Sequence, residues 1–244
     1  MKALLSSTYF GPIQWYQKLN RYDECLIERH ESFIKQTYRN RMLIPTTNGP
    51  LSLTIPTNHN TSLAMKDIRI SDHANWRHVH WNALLSAYGE SPFFEYYQDD
   101  IRPFYEKKYE FLFDFNMEIT EKMIELLDIR PKISITNEYI QNEELKVKSI
   151  ESEELKVKSE EFNGLANHKV QSSNLKVQRK EVQSKEVQSI VDFREAIRPK
   201  KPLPDAEFES KRYYQVYEQK FGFQPNMSIL DLLFNEGNEA IFYL

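Results

Sequence analysis

The chain has 244 residues, of which 40% are hydrophobic and 13% aromatic, and its formal net charge is −4 at pH 7. This length and apolar content allow a substantial core, and the mixed acids and bases exclude a nucleic-acid surface spread over the whole protein. Met1 to Ser7 carries one lysine and an apolar run far below the roughly 20 residues of a membrane span, so we expect a cytoplasmic protein without such a span.

The first part of the chain has the pattern of an α/β unit. Lys2 to Ser7 reads as a strand, Pro12 to Asn20 as a short helix that opens with proline, and Glu24 to Glu28 as a second strand. Leu51 to Ile55 alternates apolar and polar residues before Pro56, which predicts a further strand. The expected fold class is α/β, with a mixed sheet of short N-terminal strands and a largely helical second half.

A short basic stretch precedes a predicted turn at Pro45 to Gly49. From Lys35 to Arg41, three cations and a threonine occupy every second position, so an extended backbone would place them on one face. Arginine offers a planar fork of donors and lysine a mobile point charge, which suits phosphate or carboxylate groups. A tyrosine and an asparagine between the cations add a stacking face and an amide. The predicted binding site for a phosphorylated small molecule, a nucleotide sugar or an acyl donor, consists of Lys35, Tyr38, Arg39, Asn40 and Arg41.

The same stretch has a structural interpretation that stays open. Charged side chains on an edge strand prevent the strand from pairing with the sheet of another molecule. Under that interpretation, Arg39 and Arg41 protect an edge and bind no ligand.

Trp76 to Tyr88 predicts a helix whose polar side is marked by His78, Asn82 and Ser86, spaced four residues apart. His80 falls on the opposite, apolar side, so its imidazole must find a buried hydrogen-bond partner or open onto a pocket. We take His80 as the candidate catalytic base. A core histidine with its hydrogen bonds satisfied is the alternative.

No metal or cofactor is assigned. His78 and His80 would point to different sides of a helix and so cannot join His73 in one site, and Asp99-Asp100 has the pattern of a solvated turn. The single cysteine, Cys25, excludes both an internal disulfide and a multi-thiolate metal site. The sequence contains no glycine-rich phosphate loop and no nucleophile elbow.

Three later segments are predicted to be helical. Pro103 to Phe115 and Glu118 to Ile129 have helical apolar spacing, and Asn116 is available as a cap between them. A short helix is also expected between an N-terminal cap at Ser228 and a C-terminal glycine at position 237, where the acid three residues after the serine can reciprocate the cap.

Residues 142–189 differ in composition from the rest of the chain. Glu143 to Ser149 repeats almost at once as Glu153 to Ser159, acids and bases balance at nine each, and Phe162 is the sole aromatic residue. So little apolar area cannot offset the entropy of ordering. A solvated helix with Glu/Lys pairs is the alternative, but the ten-residue leucine period drifts around a helix. We predict a disordered insertion at 142–189 within one globular domain formed by residues 1–141 and 190–244.

Several motifs together resemble the WbqC-like family of bacterial proteins over nearly all of the chain outside the insertion. The most specific motif is the ending from Phe223 to Gly237. The other carriers are Tyr9-Phe10-Gly11-Pro12 leading to Lys18, the stretch from Lys35 to Arg41, Trp76 with His80, and Pro92-Phe93-Phe94.

The resemblance implies a part in bacterial surface-polysaccharide assembly, because the family is associated with gene clusters for these glycans. Relatives begin with Gln-Pro where this chain has Ser7-Thr8, and they carry a longer ordered segment where this chain has its repeats. The opening strand, loop and helix invite comparison with nucleotidyltransferases, but their His-x-Gly-His signature is absent, and fold analogy alone carries no function.

Two function classes remain open at this point. In a transferase of glycan assembly, Arg39 and Arg41 hold a phosphate and Tyr38 stacks on the ligand. His80 then acts as the general base. In a non-catalytic accessory protein, an aromatic surface docks onto another biosynthetic protein and the basic stretch serves orientation.

Overall fold

The computed structural model describes residues 1–58, 63–141 and 189–244. Within these ranges the chain forms a parallel sheet, an antiparallel hairpin and a set of helices, most of which follow the hairpin, so the predicted α/β class is confirmed. The strands are β1 (Lys2–Ser6), β2 (Glu24–Glu28), β3 (Arg41–Thr46), β4 (Gly49–Thr54), β5 (Ile133–Ile135) and β6 (Ile190–Asp192). The α-helices are α1 (Ile13–Arg21), α2 (Trp76–Tyr88), α3 (Phe94–Ile101), α4 (Pro103–Glu106), α5 (Leu112–Leu126), α6 (Glu218–Phe221) and α7 (Ile229–Glu236).

The parallel sheet has the strand order β5-β2-β1-β6. β1 is central: Ala3 pairs with Cys25 of β2 on one side and with Val191 of β6 on the other. Ala3 and Leu4 are fully buried, although their side chains point to opposite faces, because both faces of a parallel sheet are normally covered. Because every pairing in this sheet is parallel, all four strands end at the same edge.

The loop after β1 is tied to the beginning of α7. The amide of Ile229 donates to the carbonyl of Gly11 at 2.8 Å, and the hydroxyl of Ser228 donates to the carbonyl of Phe10 at 2.8 Å. A side chain at position 11 would not fit, because an added Cβ would lie 2.4 Å from the hydroxyl of Thr8. These contacts hold the two ends of the chain together on one side of the sheet.

The segment from Lys35 to Arg41 is not an extended strand, so the prediction of a single row of cations is wrong. Residues before Arg41 form turns: Gln36 has a φ of 61°, and the amide of Asn40 donates back to the carbonyl of Thr37 at 3.3 Å. β3 begins only at Arg41. The edge-strand interpretation fails for Lys35 and Arg39 for the same reason, whereas Arg41 does lie on an edge strand, because the β3-β4 sheet has two strands.

The helix predicted from Pro103 to Phe115 is also wrong, because it is divided between α4 and α5. The residues between them pair with another part of the chain: the amide of Ile70 donates to the carbonyl of Glu110 at 2.9 Å. Asn116 is not a cap. It lies inside α5, fully buried, where its side-chain nitrogen donates to the carbonyl of Arg39 at 2.8 Å.

The caps predicted for the last helix are confirmed at both ends. The hydroxyl of Ser228 accepts from the amide of Leu230 at 3.3 Å, and Gly237 has a φ of 57°. Asp231 does not reciprocate the cap. It is fully buried and accepts hydrogen bonds from Tyr213 at 2.5 Å and from Gln215 at 2.7 Å.

Residues 142–188 of the predicted insertion lie outside the described residues. The disorder of the insertion and the division into a single domain therefore stay predictions. On either side of it, β5 and β6 belong to one sheet. In the ranges described, no helix combines the length and apolar composition that crossing a membrane requires.

Candidate functional site

A cavity of about 440 Å³ lies where the parallel strands end. The chain runs from β1 to its neighbour β2 and later reaches β6 on the other side of β1, so the direction of connection reverses between β1 and β6. In open α/β sheets, ligands bind outside the carboxyl ends of the strands at such a reversal. We call this cavity the carboxyl-edge cleft, and the lining residues that matter here are Glu31, Arg39, Tyr139, Asp192, Arg194 and Glu195.

Arg39 forms a buried, two-point ion pair with Glu31 at the floor of this cleft. Its Nε donates to Oε1 at 2.7 Å and its Nη2 to Oε2 at 2.5 Å. Ser6, the last residue of β1, accepts from Nη2 at 2.9 Å and donates to Glu31 at 3.1 Å, and Thr37 accepts from Nη1 at 3.2 Å. With 3% of its surface exposed, Arg39 directs its donors to the protein itself.

A second two-point pair follows β6. Arg194 donates through Nε to Oδ1 of Asp192 at 3.0 Å and through Nη2 to Oδ2 at 2.8 Å. Its Nη1 lies 3.6 Å from Oε2 of Glu28, which is buried at the end of β2, and its guanidinium lies 5.0 Å from the ring centroid of Tyr139. Asp192 and Arg194 were not among the residues predicted from the sequence. The apolar pair Ile190-Val191 before Asp192 was the signal that could have located them, because it is typical of a short strand.

A second cavity, of about 460 Å³, lies on the other side of residues 35–40, which we call the turn segment. Lys35 is exposed and Arg41 half-buried here, and neither forms an ion pair with a described residue. Arg41 donates through Nε to the hydroxyl of Thr54 at 3.0 Å, and Lys200 reaches the edge by donating to Gln36 at 3.3 Å. We call this cavity the basic cleft, and its lining includes Lys35, Gln36, Asn40, Arg41, Thr57 and His73.

The structure therefore divides the five residues predicted to bind a phosphorylated ligand. Lys35, Asn40 and Arg41 line the basic cleft, whereas Arg39 lines the carboxyl-edge cleft. The side-chain nitrogen of Asn40 donates to the carbonyl of Ile55 at 3.0 Å, and its buried oxygen has no hydrogen-bond partner among the described residues. Tyr38 is buried, which raises its pKa to about 12. Its ring is packed in the core and offers no open stacking face.

His80 lies among aromatic rings in the core and lines neither cleft. Its Nδ1 is 2.9 Å from the hydroxyl of Tyr9, and that hydroxyl is 2.9 Å from the hydroxyl of Tyr105. The ring of Trp76 packs edge-on against the imidazole, with 5.2 Å between the two ring centroids. Burial lowers the pKa of His80 to about 4, and a backbone hydrogen bond at Thr54 opposes this shift in part. These surroundings favour the core interpretation, and the catalytic role stays a prediction.

The other two histidines considered for a metal site have different surroundings. His73 lines the basic cleft, and Nε2 of His78 is 2.9 Å from the side-chain nitrogen of Asn82 on the surface of α2. Across the described ranges, no three metal-ligating side chains of histidine, cysteine, aspartate or glutamate come together.

The model of the WbqC-like protein family matches residues 7–192 and 203–243. An uncharacterized protein of Mycobacterium tuberculosis (strain ATCC 25618 / H37Rv), Rv1507c, is 25% identical over 245 residues, covering 99% of this chain and 96% of that protein. No solved structure matches the chain.

Proposed function

Because this chain belongs to the WbqC-like protein family, we propose that it takes part in bacterial surface-polysaccharide biosynthesis by binding a phosphorylated donor in the basic cleft. The observation that carries this proposal is the charge of that cleft. Lys35 and Arg41 line it, both lack an ion-pair partner among the described residues, and none of its lining residues is acidic.

The electrostatics favour an anionic ligand. A cation without a carboxylate partner is available to a phosphate, and the guanidinium of Arg41 keeps its two terminal nitrogens free of described partners because only Nε contacts Thr54. Lys35 adds a mobile charge, and Lys200 stands beside Gln36 at the rim. The volume of about 460 Å³ falls within the usual range for small-molecule sites.

A third cavity, of about 350 Å³ beside Trp81, provides a comparison. Its cations already contact carboxylates: Arg102 pairs with Glu106, and Lys108 pairs with Asp72. A phosphate entering that cavity would compete with these acids. The lack of such acids in the lining of the basic cleft supports the proposal that the phosphate binds there.

His73 gives this cleft a group for proton transfer. A transferase also needs a proton acceptor near the donor. His73 lines the cleft and can fill that role, whereas His80 lies outside it.

The accessory, non-catalytic function is the second candidate. Tyr96 and Phe242 expose 73% and 74% of their surface, and the elements that carry them are joined by a hydrogen bond from Tyr97 to Asn238 at 2.9 Å. Exposed aromatic side chains on neighbouring elements suit docking onto another protein.

A ligand screen separates these functions. Melting temperatures of the full chain are measured with nucleotide sugars, sugar phosphates, acyl donors and inorganic phosphate, because a ligand raises stability in proportion to its binding. We expect a phosphorylated donor to raise the melting temperature of the wild type and of the control variant Lys66→Ala. Lys35→Ala and Arg41→Ala should abolish that rise. No rise with any phosphorylated compound contradicts the proposal and favours the accessory function.

A further inference from the structure

We propose that the carboxyl-edge cleft is a second binding site, and that it takes an uncharged sugar through its hydroxyl groups. This site shares no lining residue with the basic cleft. The inference concerns a different ligand chemistry, and its binding claim does not depend on a phosphorylated donor.

The first argument is the charge of the cleft. Each of its guanidinium groups is paired: Arg39 with Glu31, and Arg194 with Asp192. Glu195 adds a further carboxylate to the lining and contacts Arg198. A phosphate that binds near either guanidinium group would also lie close to the carboxylate paired with it, and the two negative charges would repel each other. The charge balance therefore disfavours an anion and favours a neutral ligand.

The second argument is the arrangement of hydrogen-bonding groups. Carboxylates only accept and guanidinium groups only donate, whereas a sugar hydroxyl does both. Arg39 and Arg194 already donate to the protein, so the groups left for sugar hydroxyls are the carboxylate oxygens of Asp192 and Glu195, which can accept. The pairs are also held rigidly: Ser6 bridges Arg39 and Glu31, and Arg194 donates to the carbonyl of Ile140 at 2.9 Å. Binding then costs little side-chain entropy.

The third argument is the ring of Tyr139. It is 48% exposed at the cleft, and the guanidinium of Arg194 lies 5.0 Å from its centroid. The cation therefore supports the ring from within, while the exposed surface of the ring is available to an apolar sugar face. An aromatic surface beside paired polar groups is the combination that small-molecule sites use to orient a ligand.

The turn segment is the wall between the two clefts. Ile34 and Arg39 line the carboxyl-edge cleft, and their chain neighbours Lys35 and Asn40 line the basic cleft. Consecutive Cα atoms are about 3.8 Å apart, so the two ligands would be held on either side of a single layer of backbone. If the proposed function holds, this geometry makes the carboxyl-edge cleft the site of the acceptor sugar.

The test uses saturation-transfer NMR on the full chain with methyl glycosides of glucose, galactose and N-acetylglucosamine as probes. We expect transfer to at least one glycoside, and a loss of affinity of about tenfold in Tyr139→Ala because the stacking surface is removed. Glu195→Gln, which keeps the shape of the side chain but removes its charge, should weaken binding of the same glycoside. Tyr214→Ala serves as the matched control, since its ring is exposed elsewhere. It should leave binding unchanged.

Arg41→Ala separates this site from the basic cleft. If saturation transfer to the glycoside persists in Arg41→Ala, it supports a second site, even if no phosphorylated donor binds. If the transfer disappears, the sugar binds in the basic cleft and the proposal is overturned. The proposal is also overturned if no glycoside receives transfer, if Tyr139→Ala and Glu195→Gln both bind like the wild type, or if inorganic phosphate displaces the glycoside. Thermal unfolding of each variant confirms that the protein measured is folded.

Discussion

The hydroxyl of Tyr9 lies 2.9 Å from Nδ1 of His80, although the two residues are 71 positions apart in the chain. Tyr9 belongs to the loop after β1 and His80 to α2, so this bond joins the sheet to the helical part through the core. Tyr105 continues the network at 2.9 Å from the same hydroxyl. A buried network of this kind stabilises the fold only while every member keeps its partner.

Replacing His80 by Asn should therefore lower stability before it affects any activity. The shorter side chain removes one of the two hydrogen-bond partners of the Tyr9 hydroxyl and opens space among the rings, which costs about 1 to 3 kcal/mol. The measurement is unfolding in denaturant, with His78→Asn on the exposed face of α2 as the control. If stability changes by less than about 1 kcal/mol and turnover falls roughly 100-fold, the histidine is catalytic after all.

The pH dependence of stability provides an independent check on His80. Its pKa is lowered to about 4 by burial, below the value of about 6.5 in an unfolded chain, so the unfolded state binds the proton first as pH falls. Stability from this residue is thus fully present above about pH 6.5 and is lost between that pH and about 4. His80→Asn should show a shallower loss of stability over this range than the wild type. If the free energy of unfolding of the wild type and of His80→Asn falls equally over this pH range, the imidazole is not buried in its neutral form.

Asp231 predicts the opposite pH dependence. Burial raises its pKa to about 6 from an ordinary value of 3.8, and its hydrogen bonds to Tyr213 and Gln215 oppose the shift only in part. The folded state therefore holds the proton more tightly, so the contribution of this group is present below about pH 4 and is lost as pH rises to about 6. The loss is about 3 kcal/mol, and Asp231→Asn should remove it. Unfolding curves of both proteins at several pH values test this, and an unchanged slope in the variant contradicts it.

Arg39 and Arg41 should respond differently to substitution. Arg41→Ala should remove phosphorylated-ligand binding and leave the fold intact, since among the described residues that side chain donates a hydrogen bond to Thr54 and forms no ion pair. Arg39→Ala should destabilise the protein by about 3 to 5 kcal/mol, because Glu31 would remain as a buried, unpaired charge. The double change Arg39→Met with Glu31→Leu should recover most of that loss. Equal stability of the two single variants in denaturant titrations is the contrary result.

Removing residues 142–188 should leave the melting transition nearly unchanged. The composition of that segment offers little apolar area, and the flanking parts are close together, since Arg194 donates to the carbonyl of Ile140 at 2.9 Å. A short Gly-Ser linker can therefore join the ends. Calorimetry of the deleted chain tests this. A loss above about 2 kcal/mol means that the segment packs against the domain.

Features that depend on neighbouring residues could be predicted from the order of amino acids alone. β1, β2 and α2 were predicted close to their observed bounds, because an apolar run or a helical period lies within one segment. Ser228 and Gly237 were recognised as caps for the same reason: a hydroxyl and a positive φ act on the adjacent backbone. The segment from Lys35 to Arg41 was located correctly, yet its conformation was not, since alternation of charges is compatible with both a strand and a turn.

Which of these residues face a cleft depends on contacts between distant parts of the chain. Arg39 and Arg41 have the same chemistry and nearly the same position, but Glu31 lies beside the first and no described acid lies beside the second. The carboxyl-edge cleft depends in the same way on Arg194, which reaches Glu28 across the sheet. Such contacts are set by the order of strands and the packing of distant segments, and no local pattern in the sequence records those distances.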